Sequence, residues 1–226
     1  MVVIFWLVWM VVSYFASQFV VVGLWQLLPM AGDETLVMML VQAAVYVVML
    51  AIGAGGPYLF KKKLKLPKIH ELLAVGRRPK LSDLGSGVKY LLIYYGVLLA
   101  VTIPLGFLLP EIMGEKQEIG FSLLGNAPWE LILIFISLVV VAPVAEELLM
   151  RGVLFGRLRA KLPFLPTAIL VSLVFAVAHW QINVSIDTFI LSMAACFARE
   201  KTGTVFPGIL IHMVKNGIAF GVLFLT

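Results

Sequence analysis

Residues 35–60 read TLVMMLVQAAVYVVMLAIGAGGPYLF, a stretch without one charged side chain, and Lys61-Lys62-Lys63 follows it at once. An uncharged run of that length exceeds the ~20 mostly apolar residues an α-helix needs to cross the hydrocarbon of a bilayer. In lipid the backbone polar groups must be satisfied within the segment, so the run is read as a transmembrane helix that ends at the lysines. Residues 1–32 and 90–110 are uncharged runs of the same kind on either side of it. The first is too long for a signal-peptide core and has no basic n-region, so it is read as a span.

The rest of the chain agrees with lipid as its main solvent. Hydrophobic residues make up 62% of the 226 and charged residues 13%, with a mean hydropathy of +1.07. Such values lie outside the usual range of soluble domains. The length leaves room for roughly seven or eight crossings. Four more spans are expected after the first three: one from near Trp129 through Glu146, Glu147 and Arg151 towards Lys161, one from Pro163 to His179, a short one over Val184 to Ala198, and one from Thr204 to Leu225. The expected fold is therefore an all-α polytopic membrane helix bundle of seven spans, with eight as the alternative. It forms a single membrane domain over residues 1–226. Residues 1–110 supply the first three spans and residues 129–221 a core. Cys196, the only cysteine, lies in an apolar run and is read as a packing residue.

Charge placement sets the orientation. Lys61, Lys62, Lys63, Lys65, Lys68, Arg77, Arg78 and Lys80 crowd the loop after the second span, and seven spans put Arg157, Arg159, Lys161, Arg199 and Lys201 on the same side. Asp33, Glu34, Glu111, Glu115, Glu118 and Asp187 fall on the other. Basic residues remain cytoplasmic, which places the N-terminus inside and the C-terminus outside. The net charge of +5 is thus a topology signal, with anionic lipid headgroups as an added contact, and it does not point to nucleic acid.

Ionisable residues at the centre of a membrane helix cost about 2.5 to 3.5 kcal/mol each on insertion scales and are functional by default. Six fall inside the last four spans: Glu146, Glu147, Arg151, His179, His212 and Lys215. The structural alternative is a set of ion pairs that hold helices together. Residues four apart share a helix face, which groups Glu147 with Arg151, Phe175 with His179, and His212 with Asn216. Glu146 stands about 100° round the helix from Glu147, so the two carboxylates can meet different surroundings. Glu146 lies 15 residues before Lys161 and His179 lies 16 after Pro163. Both are then about 22 to 24 Å along their helices from the shared turn and can meet. His212, only about 12 Å beyond Thr204, must reach across from a shallower level or start from a deeper turn.

These residues carry a family resemblance. Ala142-Pro143-Val144-Ala145-Glu146-Glu147-Leu148-Leu149-Met150-Arg151-Gly152 resembles the EExxxR motif of the CAAX prenyl protease and bacteriocin-processing family. Phe175 to His179 is similar to its FxxxH, and the stretch from Gly203 through His212 to Asn216 is similar to its HxxxN block. The likeness covers roughly Trp129 to Gly221, and spans one to three match only in being hydrophobic.

The resemblance implies an intramembrane endopeptidase acting on a membrane-associated peptide, prenylated or not. Glu146 and His179 would activate a water, His212 and Asn216 would stabilise the oxyanion, and Glu147, Arg151 and Phe175 would support them. The chemistry fits these roles, since a buried carboxylate is a better base near neutral pH and N–H donors suit an oxyanion in a dry site. Lys215 departs from the pattern: its stem could snorkel to lipid, or its ammonium could face the cavity and contact substrate. No cofactor is expected. Two glutamates and two histidines could instead hold zinc or another divalent ion, giving a metal-dependent hydrolase, although HExxH is absent from the sequence. A non-enzymatic membrane partner or bacteriocin-immunity protein is the other reading. Oligomeric state is not readable.

Overall fold

The computed structural model describes residues 2–27, 34–115 and 127–225. Among the described residues all regular structure is helical. Among the described residues six helices are long and apolar enough to cross a membrane: α1 (Val2–Leu24), α2 (Leu36–Leu59), α3 (Leu81–Leu108), α4 (Pro128–Arg159), α6 (Ile182–Thr202) and α7 (Phe206–Phe224). A shorter apolar helix, α5 (Phe164–Val177), stands between α4 and α6. The sequence assigns the shortest span to the sixth position, whereas the structure gives it to the fifth. α6 gains its length from residues that read as polar loop at both ends, from Ile182 and up to Thr202. Capping explains the latter end: Gly203 adopts φ +73 and closes the helix, a conformation open to glycine at no steric cost. α3 likewise starts well before Tyr90, because Asp83 accepts from the Lys80 backbone N–H at its first turn and so caps it.

α4 is the central element and packs against α1, α2, α5, α6 and α7. Leu149, Val153, Leu154 and Leu158 of α4 are buried against Trp6 and Met10 of α1, Met49 of α2 and Val171 of α5. Cys196 is buried in the same core. α3 lies at the rim, joined to α6 and α7 through Tyr90 and Tyr94.

Three segments of the bundle are wound as π-helix: Ala51–Gly55, Ile136–Val141 and Leu148–Leu154. The first two run directly into Gly56-Pro57 and Ala142-Pro143. Proline has no N–H to donate and its ring clashes with the carbonyl four residues earlier. Widening the preceding turn removes that clash and keeps the helix continuous.

The basic loop is folded onto the bundle. The Ala74 carbonyl accepts from the Val205 N–H and the Thr204 hydroxyl, and Arg157 donates to the Leu64 carbonyl. Arg77 pairs with Asp83 at 2.6 Å and reaches the Thr202 carbonyl. The loop, the α4–α5 turn and the α6–α7 turn therefore share one end of the bundle. The start of α1 belongs there too, with the Arg157 guanidinium 5.4 Å from the Trp6 ring. Thr204 and Val205 are 1% and 0% exposed. The α6–α7 turn is thus sunk below the loop, and this deeper start lets His212 meet α4.

Candidate active site

The single α-helical stretch Ala142–Glu147 between two π-segments presents the adjacent glutamates to different environments. Glu147 points into the bundle and its side chain is fully buried. Arg151, also fully buried, brings Nη1 to 2.8 Å from Glu147 Oε1. The pair meets by charge and distance without hydrogen-bond alignment. Glu146 points the other way, towards a cavity of about 570 Å³, and keeps 18% side-chain exposure. Its Oε1 accepts a hydrogen bond from the Tyr46 hydroxyl at 3.2 Å.

His212 stands between the two carboxylates. Its Nδ1 is 3.3 Å from Glu147 Oε1 and its Nε2 is 3.8 Å from Glu146 Oε2. Helix α7 can come this close because Gly208, one turn before His212, lies directly against the Glu147 carboxylate.

His179 follows the last turn of α5 and lines the same cavity as Glu146. Its Nδ1 is 2.8 Å from the Phe175 carbonyl. A carbonyl only accepts, so Nδ1 carries the hydrogen, and in the neutral ring Nε2 then keeps the lone pair. The Phe175 ring meets His179 edge-on at 4.9 Å and His212 at 5.8 Å, and the Arg151 guanidinium lies 4.8 Å from its centre. One aromatic ring thus touches three of the motif residues.

Asn216, one turn beyond His212, donates through Nδ2 to the Leu138 carbonyl at 2.8 Å, within the π-segment of α4. Lys215, like His212 and Asn216, is not among the residues that line the cavity. Its Nζ is 3.1 Å from Asp187 Oδ2, and Tyr94 donates to the other oxygen of Asp187 at 2.5 Å. Asp187 itself belongs to α6, not to an external loop.

The walls of the cavity come from α1, α2, α4 and α5. Tyr14 and Gln18 of α1 and Gln42 and Tyr46 of α2 supply its polar lining, and sequence reading passed over all four. The available signal was spacing: the members of each pair stand four apart and so share a helix face. Val41, Val45, Met38, Met49 and Met150 make the remainder of the wall apolar.

The bundle sets one glutamate and one histidine, Glu146 and His179, on the wall of an internal cavity, with Glu147 and His212 packed behind Glu146, a set of groups able to activate a water. Residues 128–218, α4 through most of α7, match the family model described as Type II CAAX prenyl endopeptidase Rce1-like, and over this segment the chain is similar to that family. That family is a peptidase family, and this supports a peptidase role for the protein. No curated protein and no solved structure matches the chain.

Proposed function

We propose that the protein is an intramembrane endopeptidase in which Glu146 is the general base and His179 orients the attacking water. The observation that carries this reading is that both side chains line one cavity, Glu146 in contact with His212 at 3.8 Å. Glu146 takes a proton from the water as its oxygen attacks the peptide carbonyl carbon. Negative charge then develops on the carbonyl oxygen, where an N–H of His212 stabilises it. The proton passes from Glu146 to the amide nitrogen as the C–N bond breaks, giving a carboxylic acid and an amine. Asn216 has two amide hydrogens and the Leu138 carbonyl takes one; the second serves the oxyanion.

A metal-free mechanism is the reading adopted. The sequence lacks HExxH, the usual zinc-binding pair of metallopeptidases. The substrate is a peptide held at the membrane, for which the largely apolar wall is suited. A prenylated C-terminal peptide is the specific form that the family points to. The basic end of the bundle faces the cytoplasm on this reading, and seven crossings then leave the C-terminus outside.

The test is a screen of purified protein in proteoliposomes against peptide libraries with and without prenyl groups, run beside Glu146→Gln. Cleavage by the natural protein that disappears in the variant is the expected result. Cleavage that survives Glu146→Gln removes the proposed base. A natural protein that cleaves no peptide but binds one favours a non-enzymatic membrane partner.

A further inference from the structure

We infer that Tyr46 is a positioning residue for Glu146, held by a line of donors that begins at Ser137 and crosses to α2 and back. This rests on the reading of Glu146 as the base. The Tyr46 hydroxyl is 3.2 Å from Glu146 Oε1. Gln42, four residues earlier on α2, makes a side-chain hydrogen bond with Tyr46. Gln42 Oε1 in turn accepts from the Ser137 hydroxyl at 3.3 Å.

The directions of these bonds are fixed by what each atom can do. An ionised carboxylate only accepts, so Tyr46 gives its one hydrogen to Glu146 and must accept from Gln42. The only donor on Gln42 is its amide nitrogen, and that leaves Oε1 to take the Ser137 hydrogen, as the geometry has it. Each group is oriented by the one before it, and the series ends on the carboxylate. Ser137 lies in the π-segment Ile136–Val141 just upstream of Pro143, so α4 fixes the rotamer of its own glutamate through a neighbouring helix. Oε1 is thereby occupied, and Oε2, on the His212 side, is left to accept the proton of the water. A hydrogen bond that orients one oxygen acts on the chemical step and not on substrate binding.

The experiment uses the full chain in detergent, labelled with carboxyl-¹³C glutamate. The antisymmetric carboxylate stretch of Glu146 is assigned by its loss in Glu146→Gln. Tyr46→Phe is expected to move that band, Gln42→Leu to move it in the same direction by less, and Tyr58→Phe, at the far end of α2, to leave it in place. With whichever peptide the library screen identifies, Tyr46→Phe should lower kcat about tenfold to hundredfold, the effect of one hydrogen bond to a charged group, with KM nearly unchanged. A Glu146 band that does not move in Tyr46→Phe overturns the inference, as does a raised KM with kcat intact. If Tyr46→Phe does not fold, Gln42→Leu, which leaves the tyrosine in place, decides by the same band. The two readings fail separately: a shifted band in a protein that cleaves no peptide sinks the peptidase but keeps the positioning, and an unmoved band beside cleavage lost in Glu146→Gln does the reverse.

Discussion

Oε2 of Glu147 lies so close over Gly208 that a β-carbon there would come within 2.5 Å of it. The carboxylate is pinned by Arg151 at 2.8 Å and His212 at 3.3 Å, so it cannot swing aside. Gly208→Ala should therefore push α7 away from α4. The expected loss is about 1 to 3 kcal/mol of stability, as for other overpacked sites, together with most of the activity, because His212 follows one turn later on the displaced helix. A melting temperature in detergent equal to that of the natural protein would show that the helices have room to spare.

The two adjacent glutamates should respond differently to the same change. Glu147→Gln leaves Arg151 buried and without a counter-charge, an imbalance that costs about 3 to 5 kcal/mol, so yield and melting temperature should fall first and activity with them. Glu146→Gln keeps the shape of the side chain and can still accept from Tyr46. It should fold and melt as the natural protein does while cleaving nothing. A Glu147→Gln protein that is stable and inert, beside an active Glu146→Gln, would reverse the two roles.

Lys215 and Asp187 tie α7 to α6 well inside the bundle, with side chains only 12% and 24% exposed. Lys215→Met and Asp187→Asn should each lower the melting temperature, and the double variant should lose less than the sum, by about 0.5 to 3 kcal/mol of coupling. Because the pair stands apart from the cavity wall, KM for a cleaved peptide should change little in Lys215→Met. A KM raised more than about tenfold, a loss of 1.4 kcal/mol in binding, would return Lys215 to the substrate.

Chelation should leave cleavage intact under the metal-free reading. Activity measured after dialysis against EDTA, with and without added zinc, is the direct check. Loss on dialysis and return with zinc would replace the mechanism and leave the assigned residues as ligands.

The membrane class of the fold was legible in the sequence because lipid demands long uncharged runs, and residues 35–60 show one without ambiguity. Span ends were less legible: Asp83 and Gly203 extend α3 and α6 by capping, which hydropathy does not see. The short α5 reads in sequence like any other span, since the apolar character continues to His179 while the helix stops at Val177. The motif residues of α4, α5 and α7 stood out as ionisable groups in lipid. Tyr46 and Gln42 did not, because a tyrosine or glutamine in a span is common and gains its meaning only from the helix opposite. The π-segments were invisible for a related reason: two of them answer Pro57 and Pro143, the third, Leu148–Leu154, follows no proline, and no local pattern announces any of them.

The 14 residues of α5 rise only about 21 Å, whereas the hydrocarbon of an ordinary bilayer is ~30 Å thick. Pro163 begins the helix at the basic end, and with that end set at one headgroup level the deficit falls at the end that carries His179. Lipid beside α5 must thin there, at a cost of fractions of a kcal/mol per Å, or leave the polar turn after Val177 below the level of the headgroups. Either adjustment shortens the path from the aqueous phase to the histidine, so the thickness of the host membrane sets how readily water reaches the cavity.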